Sequence, residues 1–131
     1  MNAEGKLVLC ADDDEDILSL VSLRLQRAGF EVATATDGQE AVEIARTRRP
    51  VLAVLDVMMP RRTGYEVLEE LRGDESLRDI KVILLSARVQ ESDVARGLDA
   101  GADAYLAKPF KAQELVAKIE ELLGRQQSDS A

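Results

Sequence analysis

Acidic side chains come directly after two strongly apolar segments of the sequence. Asp12 and Asp13 follow Lys6–Ala11, and Asp56 follows Val51–Leu55. Apolar runs of five or six residues are too short for independent helices and predict strands that are buried on both faces. Each acid would then emerge at the carboxyl end of a strand, which is where open α/β sheets bind ligands. A single aspartate after a strand is also a common turn residue, so Asp56 alone does not decide the function.

Two further polar residues end predicted strands, Ser86 after Ile80–Leu85 and Lys108 after Ala104–Ala107. Three carboxylates in one crevice repel each other and need a cation, and all-oxygen ligands at an open site favour Mg²⁺. A metal, an ammonium and a hydroxyl together suit the oxygens of a phosphoryl group. The chain has no histidine and one cysteine, so the natural nucleophile is a carboxylate. Asp56 is the best candidate, and it would form an aspartyl phosphate.

Strands and helices alternate strictly in five βα units, which predicts one α/β domain with a parallel sheet and right-handed crossovers. The first, third and fourth strands are the most apolar and should be internal. That ranking suits a doubly wound, flavodoxin-like (βα)5 sheet of order 2-1-3-4-5. The expected strands are Lys6–Ala11, Phe30–Ala35, Val51–Asp56, Ile80–Leu85 and Ala104–Ala107.

The helices are predicted from caps and apolar periodicity. Asp14 is an N-cap candidate, and Asp37 and Glu40 have the spacing of a capping box. The fourth helix should be held least firmly, because its apolar face is thin and it contains Gly97. The expected apolar faces are Ile17, Leu20, Val21, Leu25 and Ala28 in the first helix; Ala41, Ile44 and Ala45 in the second; Val67, Leu68 and Leu71 in Tyr65–Arg72; Val94, Ala95 and Leu98 in Ser92–Ala100; and Leu115, Val116, Ile119, Leu122 and Leu123 in Lys111–Leu123.

The composition limits the classes of partner. The net charge of −8 argues against direct binding to nucleic acid or to an anionic membrane, since both need a basic face. No apolar signal region or membrane-length segment is present, so a cytoplasmic location is the default expectation. Residues 1–124 should form the domain, and 125–131 a polar, disordered tail or linker stub. Cys10 lies in an apolar run and should be a small buried hydrophobe.

Four stretches of the chain resemble the receiver domains of two-component response regulators. They are LVLCADDDEDI, VLAVLDVMMPRRTGYEVL, VILLSA and GADAYLAKPF, and they occur in the family's order and spacing over nearly the whole chain. The resemblance implies that Asp56 accepts a phosphoryl group in a Mg²⁺-dependent reaction. It also implies a cis peptide bond between Lys108 and Pro109, which an X–Pro bond allows at low cost.

The same resemblance implies roles for the residues around Asp56. Asp13, Asp56 and the backbone carbonyl of Met58 would bind Mg²⁺ directly, and Asp12 would bind it through water. Lys108 would contact the phosphate. Ser86 would be the switch hydroxyl and Tyr105 the switch aromatic of the face formed by the fourth helix, fifth strand and fifth helix.

The resemblance further implies a sensor histidine kinase or phosphotransfer protein as phosphodonor. A downstream effector or output domain would lie outside this chain, and a phosphorylation-linked homodimer is compatible with the family. The chain would then be a signalling domain and not an enzyme. One alternative is a degenerate receiver that acts as a binding scaffold. An aspartyl phosphatase of the haloacid-dehalogenase type would want an aspartate where Met58 stands, and a nucleotide- or flavin-binding domain would need a glycine-rich loop after the first strand.

Overall fold

A computed structural model describes residues 6–87 and 91–124, with only the backbone for 91–94. Five strands and five helices alternate along the chain, as the sequence predicts. The predicted tail at 125–131 lies outside the described residues. The strands are β1 (Leu7–Ala11), β2 (Glu31–Ala35), β3 (Leu52–Asp56), β4 (Lys81–Ser86) and β5 (Ala104–Ala107). The helices are α1 (Glu15–Arg27), α2 (Gly38–Arg48), α3 (Gly64–Arg72), α4 (Glu91–Asp99) and α5 (Ala112–Leu122).

The sheet is parallel and has the order β2-β1-β3-β4-β5, which confirms the predicted topology. Every residue of β1 and β3 is buried, and β4 is buried except at Lys81. The two edge strands are more exposed: β5 is half-buried throughout and β2 alternates. Continuous apolar runs therefore mark the strands that have neighbours on both sides.

Helices cover both faces of the sheet. Side chains of α1 and α5 pack with one face of β1, β3 and β4 in a cluster centred on Leu25, Val54 and Leu115. The helices α2 and α3 pack on the other face, around Leu55 and Leu68. This two-sided cover leaves the carboxyl end of the sheet as the place where strand-end side chains can meet.

Two details of the predicted helices are wrong. Leu20 is 51% exposed, and Leu18 takes its place in the buried face of α1. Leu18 has i, i+3 and i+7 spacing with Val21 and Leu25, whereas Leu20 lies about 200° from Leu18 around the helix, so helical periodicity favours Leu18. The capping box at α2 is incomplete: Asp37 accepts from the Glu40 amide at 2.8 Å, but the Glu40 carboxylate accepts from Thr36 instead.

The predicted apolar face of α4 is also wrong at Ala95 and Leu98, and the side chain of Val94 lies outside the described residues. Ala95 and Leu98 are exposed, whereas Gly97 is buried. A Cβ atom on Gly97 would lie 2.9 Å from the ring of Tyr105 and 3.1 Å from Leu84. The helix therefore approaches the sheet through a residue without a side chain. Within the described residues, no helix combines the length and apolar character needed to cross a membrane.

Candidate functional site

Three aspartates meet at the carboxyl end of the sheet. Asp12 follows β1, Asp13 is the next residue, and Asp56 is the last residue of β3. Each offers a carboxylate oxygen that lies within 4.8 Å of the oxygens of the other two. Asp12 and Asp56 are buried and Asp13 is exposed. The adjacency of β1 and β3 in the sheet brings these acids together, as expected from the strand order.

Lys108 reaches this cluster from the end of β5. Its Nζ atom lies 2.9 Å from Oδ2 of Asp12 and 3.2 Å from Oδ2 of Asp56. The peptide bond between Lys108 and Pro109 is cis, as the resemblance implied. The Lys108 amide donates to the carbonyl of Ser86 at 2.8 Å, so the backbone of β4 holds the lysine at the site. One ammonium thus faces two buried carboxylates.

The second oxygen of each buried acid is held by the backbone. Oδ1 of Asp56 accepts from the Met58 amide at 3.2 Å, and Oδ1 of Asp12 accepts from the Asp14 amide at 2.9 Å. Met58 itself is 71% exposed. Each carboxylate is therefore oriented through one oxygen by an amide, while its other oxygen faces Lys108.

Burial is the main cause of an altered pKa at Asp56. Together with the nearby charge of Asp12, it raises the pKa of Asp56 from 3.8 to about 6, against the opposing effect of Lys108 and the Met58 amide. Burial alone would lower the pKa of Lys108, but its contacts with Asp12 and Asp56 outweigh that effect and raise it. The charged form of Asp56 is thus disfavoured in this pocket, and it is still the main form at neutral pH.

The residues of the cluster fit a hard divalent cation. Carboxylate oxygens are ligands that Mg²⁺ prefers, and among the described residues three acids around one ammonium leave an excess of negative charge. The described residues at this end place Asp12, Asp13, Asp56 and the Met58 backbone within reach of one another.

Ser86 and Tyr105 come from the two strands that follow β3 in the sheet. Ser86 is the buried last residue of β4, and Tyr105 is half-buried in β5. Both line a cavity between α3 and α4 that also includes Met58 and Tyr65. Arg96 of α4 also lines this cavity, and its guanidinium lies 4.5 Å from the centre of the Tyr65 ring.

Sequence reasoning missed the residues that start α3. Thr63 is the N-cap and forms a full capping box with Glu66. A Cβ atom on Gly64 would lie 2.6 Å from the carbonyl oxygen of Asp56, so only glycine allows this approach. The signal was present, because Thr63 and Glu66 have capping-box spacing.

The chain matches the family model described as "Response regulator receiver domain" over residues 8–120. It is 40% identical over 121 residues to the alkaline phosphatase synthesis transcriptional regulatory protein PhoP of Bacillus subtilis, covering 92% of this chain and 50% of that protein. It is 47% identical over 121 residues to the transcriptional regulatory protein PrrA of Mycobacterium tuberculosis, covering 92% and 51%. The chain therefore spans about half the length of these curated relatives.

Solved structures of similar size agree with this match. A Francisella response regulator 1452 receiver domain superposes with a TM-score of 0.86 at 34% identity, covering 93% of this chain and 99% of that one. The chemotaxis response regulator CheY4 of Vibrio cholerae superposes with a TM-score of 0.84 at 33% identity, covering 88% and 97%.

Proposed function

Because the chain belongs to the family of response regulator receiver domains, we propose that Asp56 is its phosphoacceptor. The position of Lys108 between Asp12 and Asp56 carries this proposal. It leaves Asp56 at the end of a central strand, buried, oriented by an amide, and next to a fixed positive charge. A nucleophilic carboxylate must be oriented, and an incoming phosphoryl group needs positive charge nearby, and Asp56 has both.

The proposed reaction is a phosphoryl transfer from a phosphohistidine of a sensor kinase or phosphotransfer protein. A carboxylate oxygen of Asp56 forms the new O–P bond while the N–P bond of the donor breaks, and the electron pair of that bond stays on the nitrogen. Lys108 then pairs with the transferred phosphoryl oxygens. The chain acts here as a signalling domain whose only chemistry is its own phosphorylation and dephosphorylation.

Asp13, Asp56 and the backbone carbonyl of Met58 would hold Mg²⁺ directly, and Asp12 would hold it through water. The excess of carboxylates over ammonium groups at the site supports this assignment. The ion would supply positive charge that offsets both the acids and the phosphoryl oxygens.

We assign the switch to Ser86 and Tyr105. Ser86 ends the strand next to β3, and the backbone amide of Val57 donates to Leu85 in that strand at 2.8 Å. A new charge on Asp56 would draw the Ser86 hydroxyl towards it, which frees space for the Tyr105 ring in the shared cavity. The face formed by α4, β5 and α5 would change shape and bind an effector, an output domain or a second copy of the chain.

The alternative is a degenerate receiver that binds partners without being phosphorylated. Intact mass spectrometry separates the two after incubation with a small phosphodonor and Mg²⁺. We expect wild type to gain one phosphoryl group and Asp56→Asn to gain none. Asp79→Asn, at an exposed loop position, is the matched control and should behave as wild type.

A chelator should suppress the modification of wild type. The proposal fails if folded wild type remains unmodified with Mg²⁺ present, and that outcome would favour the scaffold. It also fails if Asp56→Asn gains the same mass as wild type.

A further inference from the structure

The β3–α3 loop, residues 57–63, begins at a firmly held residue. The Val57 amide donates to Leu85 at 2.8 Å, and the Val57 carbonyl accepts from the Gly64 amide at 3.0 Å. Met58 comes next, and its amide donates to Asp56. The start of the loop is thus fixed by the sheet on one side and by the beginning of α3 on the other.

The far part of the same loop rests on the first residue of α2. The Gly38 amide donates to the carbonyl of Pro60 at 3.2 Å. A Cβ atom on Gly38 would lie 2.1 Å from the carbonyl oxygen of Arg62 and 2.5 Å from its Cβ atom. The carbonyl carbon of Arg62, at 2.7 Å, is the third contact, and two of the three atoms belong to the backbone, so a side chain at position 38 would have to displace the loop itself.

Ion pairs tie this part of the loop to both neighbouring helices. Arg62 pairs with Glu70 of α3, and the same carboxylate binds Arg46 of α2. Arg61 lies 3.7 Å from the carboxylate of Asp37, the N-cap of α2. The loop therefore has little freedom to move away from α2 without breaking contacts on both sides.

Met58 lies between these two anchors, with Val57 fixed before it and Pro60 fixed after it. We propose that Gly38 is a positioning residue for the metal site, because its lack of a side chain sets the path of the loop that carries the Met58 carbonyl. The inference rests on the proposed function only through the assignment of that carbonyl as a ligand. It adds α2, which contributes no ligand, to the elements that determine metal affinity.

The test compares Mg²⁺ binding by calorimetry in wild type and Gly38→Ala. Groups that orient metal ligands typically change affinity tenfold to a hundredfold when they are mutated, and we expect Gly38→Ala to bind Mg²⁺ about tenfold more weakly. The Met58 amide should also shift in an NMR spectrum recorded without metal. Alanine forms helices better than glycine. If the substitution affected only the helix propensity of α2, it would therefore stabilise the protein.

Gly101→Ala is the matched control. Gly101 has φ +107° and lies against Arg72 at the other end of the sheet, so its substitution strains the fold without contacting the loop. We expect Gly101→Ala to lower the melting temperature and to keep the wild-type Mg²⁺ affinity. Equal affinities in Gly38→Ala and wild type would overturn the inference.

A second variant covers the case in which Gly38→Ala does not fold. Glu70→Ala releases Arg62 and Arg46 at a partly exposed position, and we expect a roughly threefold loss of Mg²⁺ affinity, below the range for a group that orients a ligand directly. Unchanged affinity in that variant would then overturn the inference. Failure of the proposed function is a different result, since wild type itself would bind no Mg²⁺ or take no phosphoryl group.

Discussion

The two ends of the sheet both hold a cation against aspartate, but their charge balance differs. At the carboxyl end, the single ammonium of Lys108 faces Asp12 and Asp56, with Asp13 close by. At the amino end, Arg72 of α3 pairs with Asp103 at 3.0 Å. The Arg72 guanidinium also donates to the carbonyls of Gly101, Arg78 and Ile80 at 2.7–3.0 Å.

At the amino end each charge therefore has a partner, and Arg72 links α3 to the segments that precede β4 and β5. Asp103 is itself oriented by the Val82 amide at 2.9 Å. The carboxyl end instead gathers three described acids around one lysine, and burial together with the charge of Asp12 raises the pKa of Asp56. The comparison teaches that one end stabilises the fold, whereas the other gathers negative charge that a bound cation would offset.

Removing the amino-end cation should have the largest effect on stability. Arg72→Ala would leave partly buried carbonyls and Asp103 without their shared donor, and we expect a loss of about 2–4 kcal/mol in the free energy of unfolding. Urea denaturation measures this loss. Arg72→Lys keeps the charge but not the planar set of donors, so it should recover only part of the stability.

Mg²⁺ affinity of folded Arg72→Ala should equal that of wild type, because the two clusters lie at opposite ends of the sheet. A large fall in affinity without unfolding would show that the ends are coupled. That result would contradict the claim that the amino end stabilises the fold while the carboxyl end binds the metal.

Removing a charge at the carboxyl end should instead increase the free energy of unfolding. Without divalent metal, we expect Asp56→Asn to be more stable than wild type at pH 7 by about 1–2 kcal/mol, since burial disfavours the ionised carboxylate. Chemical denaturation in the presence of a chelator measures this gain.

The pH dependence of that gain follows from the pKa. The pKa of Asp56 is about 6 in the folded protein and near 3.8 in the unfolded chain, so wild type loses stability as pH rises through that interval. Asp56→Asn lacks this loss. The difference between the two proteins should therefore be small near pH 4 and fully developed by pH 7, and a gain independent of pH would contradict the electrostatic cause.

The reactivity of Cys10 should change least of all in Asp56→Asn. Burial, and then the charge of Asp12, raise the pKa of its thiol to about 12, so the folded protein should resist thiol reagents at pH 7–8. Labelling measured by mass should remain as slow in Asp56→Asn as in wild type. In Arg72→Ala it should be faster, in proportion to the unfolded fraction, and fast labelling of wild type would show that β1 opens locally.

The sheet and the acid cluster could be predicted because local patterns carry them. The apolar runs of β1, β3 and β4 placed these strands inside the sheet, and their ends placed the acids at one edge. The mixed pattern of β2 correctly predicted an edge. Proximity of the acids and Lys108 thus followed from topology alone.

The rest depended on contacts between distant segments. Nothing near Arg72 in the sequence indicates that its partners are Gly101 and Asp103, and nothing near Gly38 indicates contact with Arg62. At α4 the predicted apolar face was wrong, because close packing against Tyr105 selects the glycine and not the larger residues. Tertiary packing decided these positions.

Thermal unfolding at increasing Mg²⁺ tests the central claim most directly, with ionic strength held constant. The account predicts that Mg²⁺ stabilises wild type, by about 2.7 kcal/mol at a concentration one hundred times its dissociation constant, and that Asp56→Asn responds much less. An unchanged melting temperature for wild type, or an equal rise in Asp56→Asn, would contradict it.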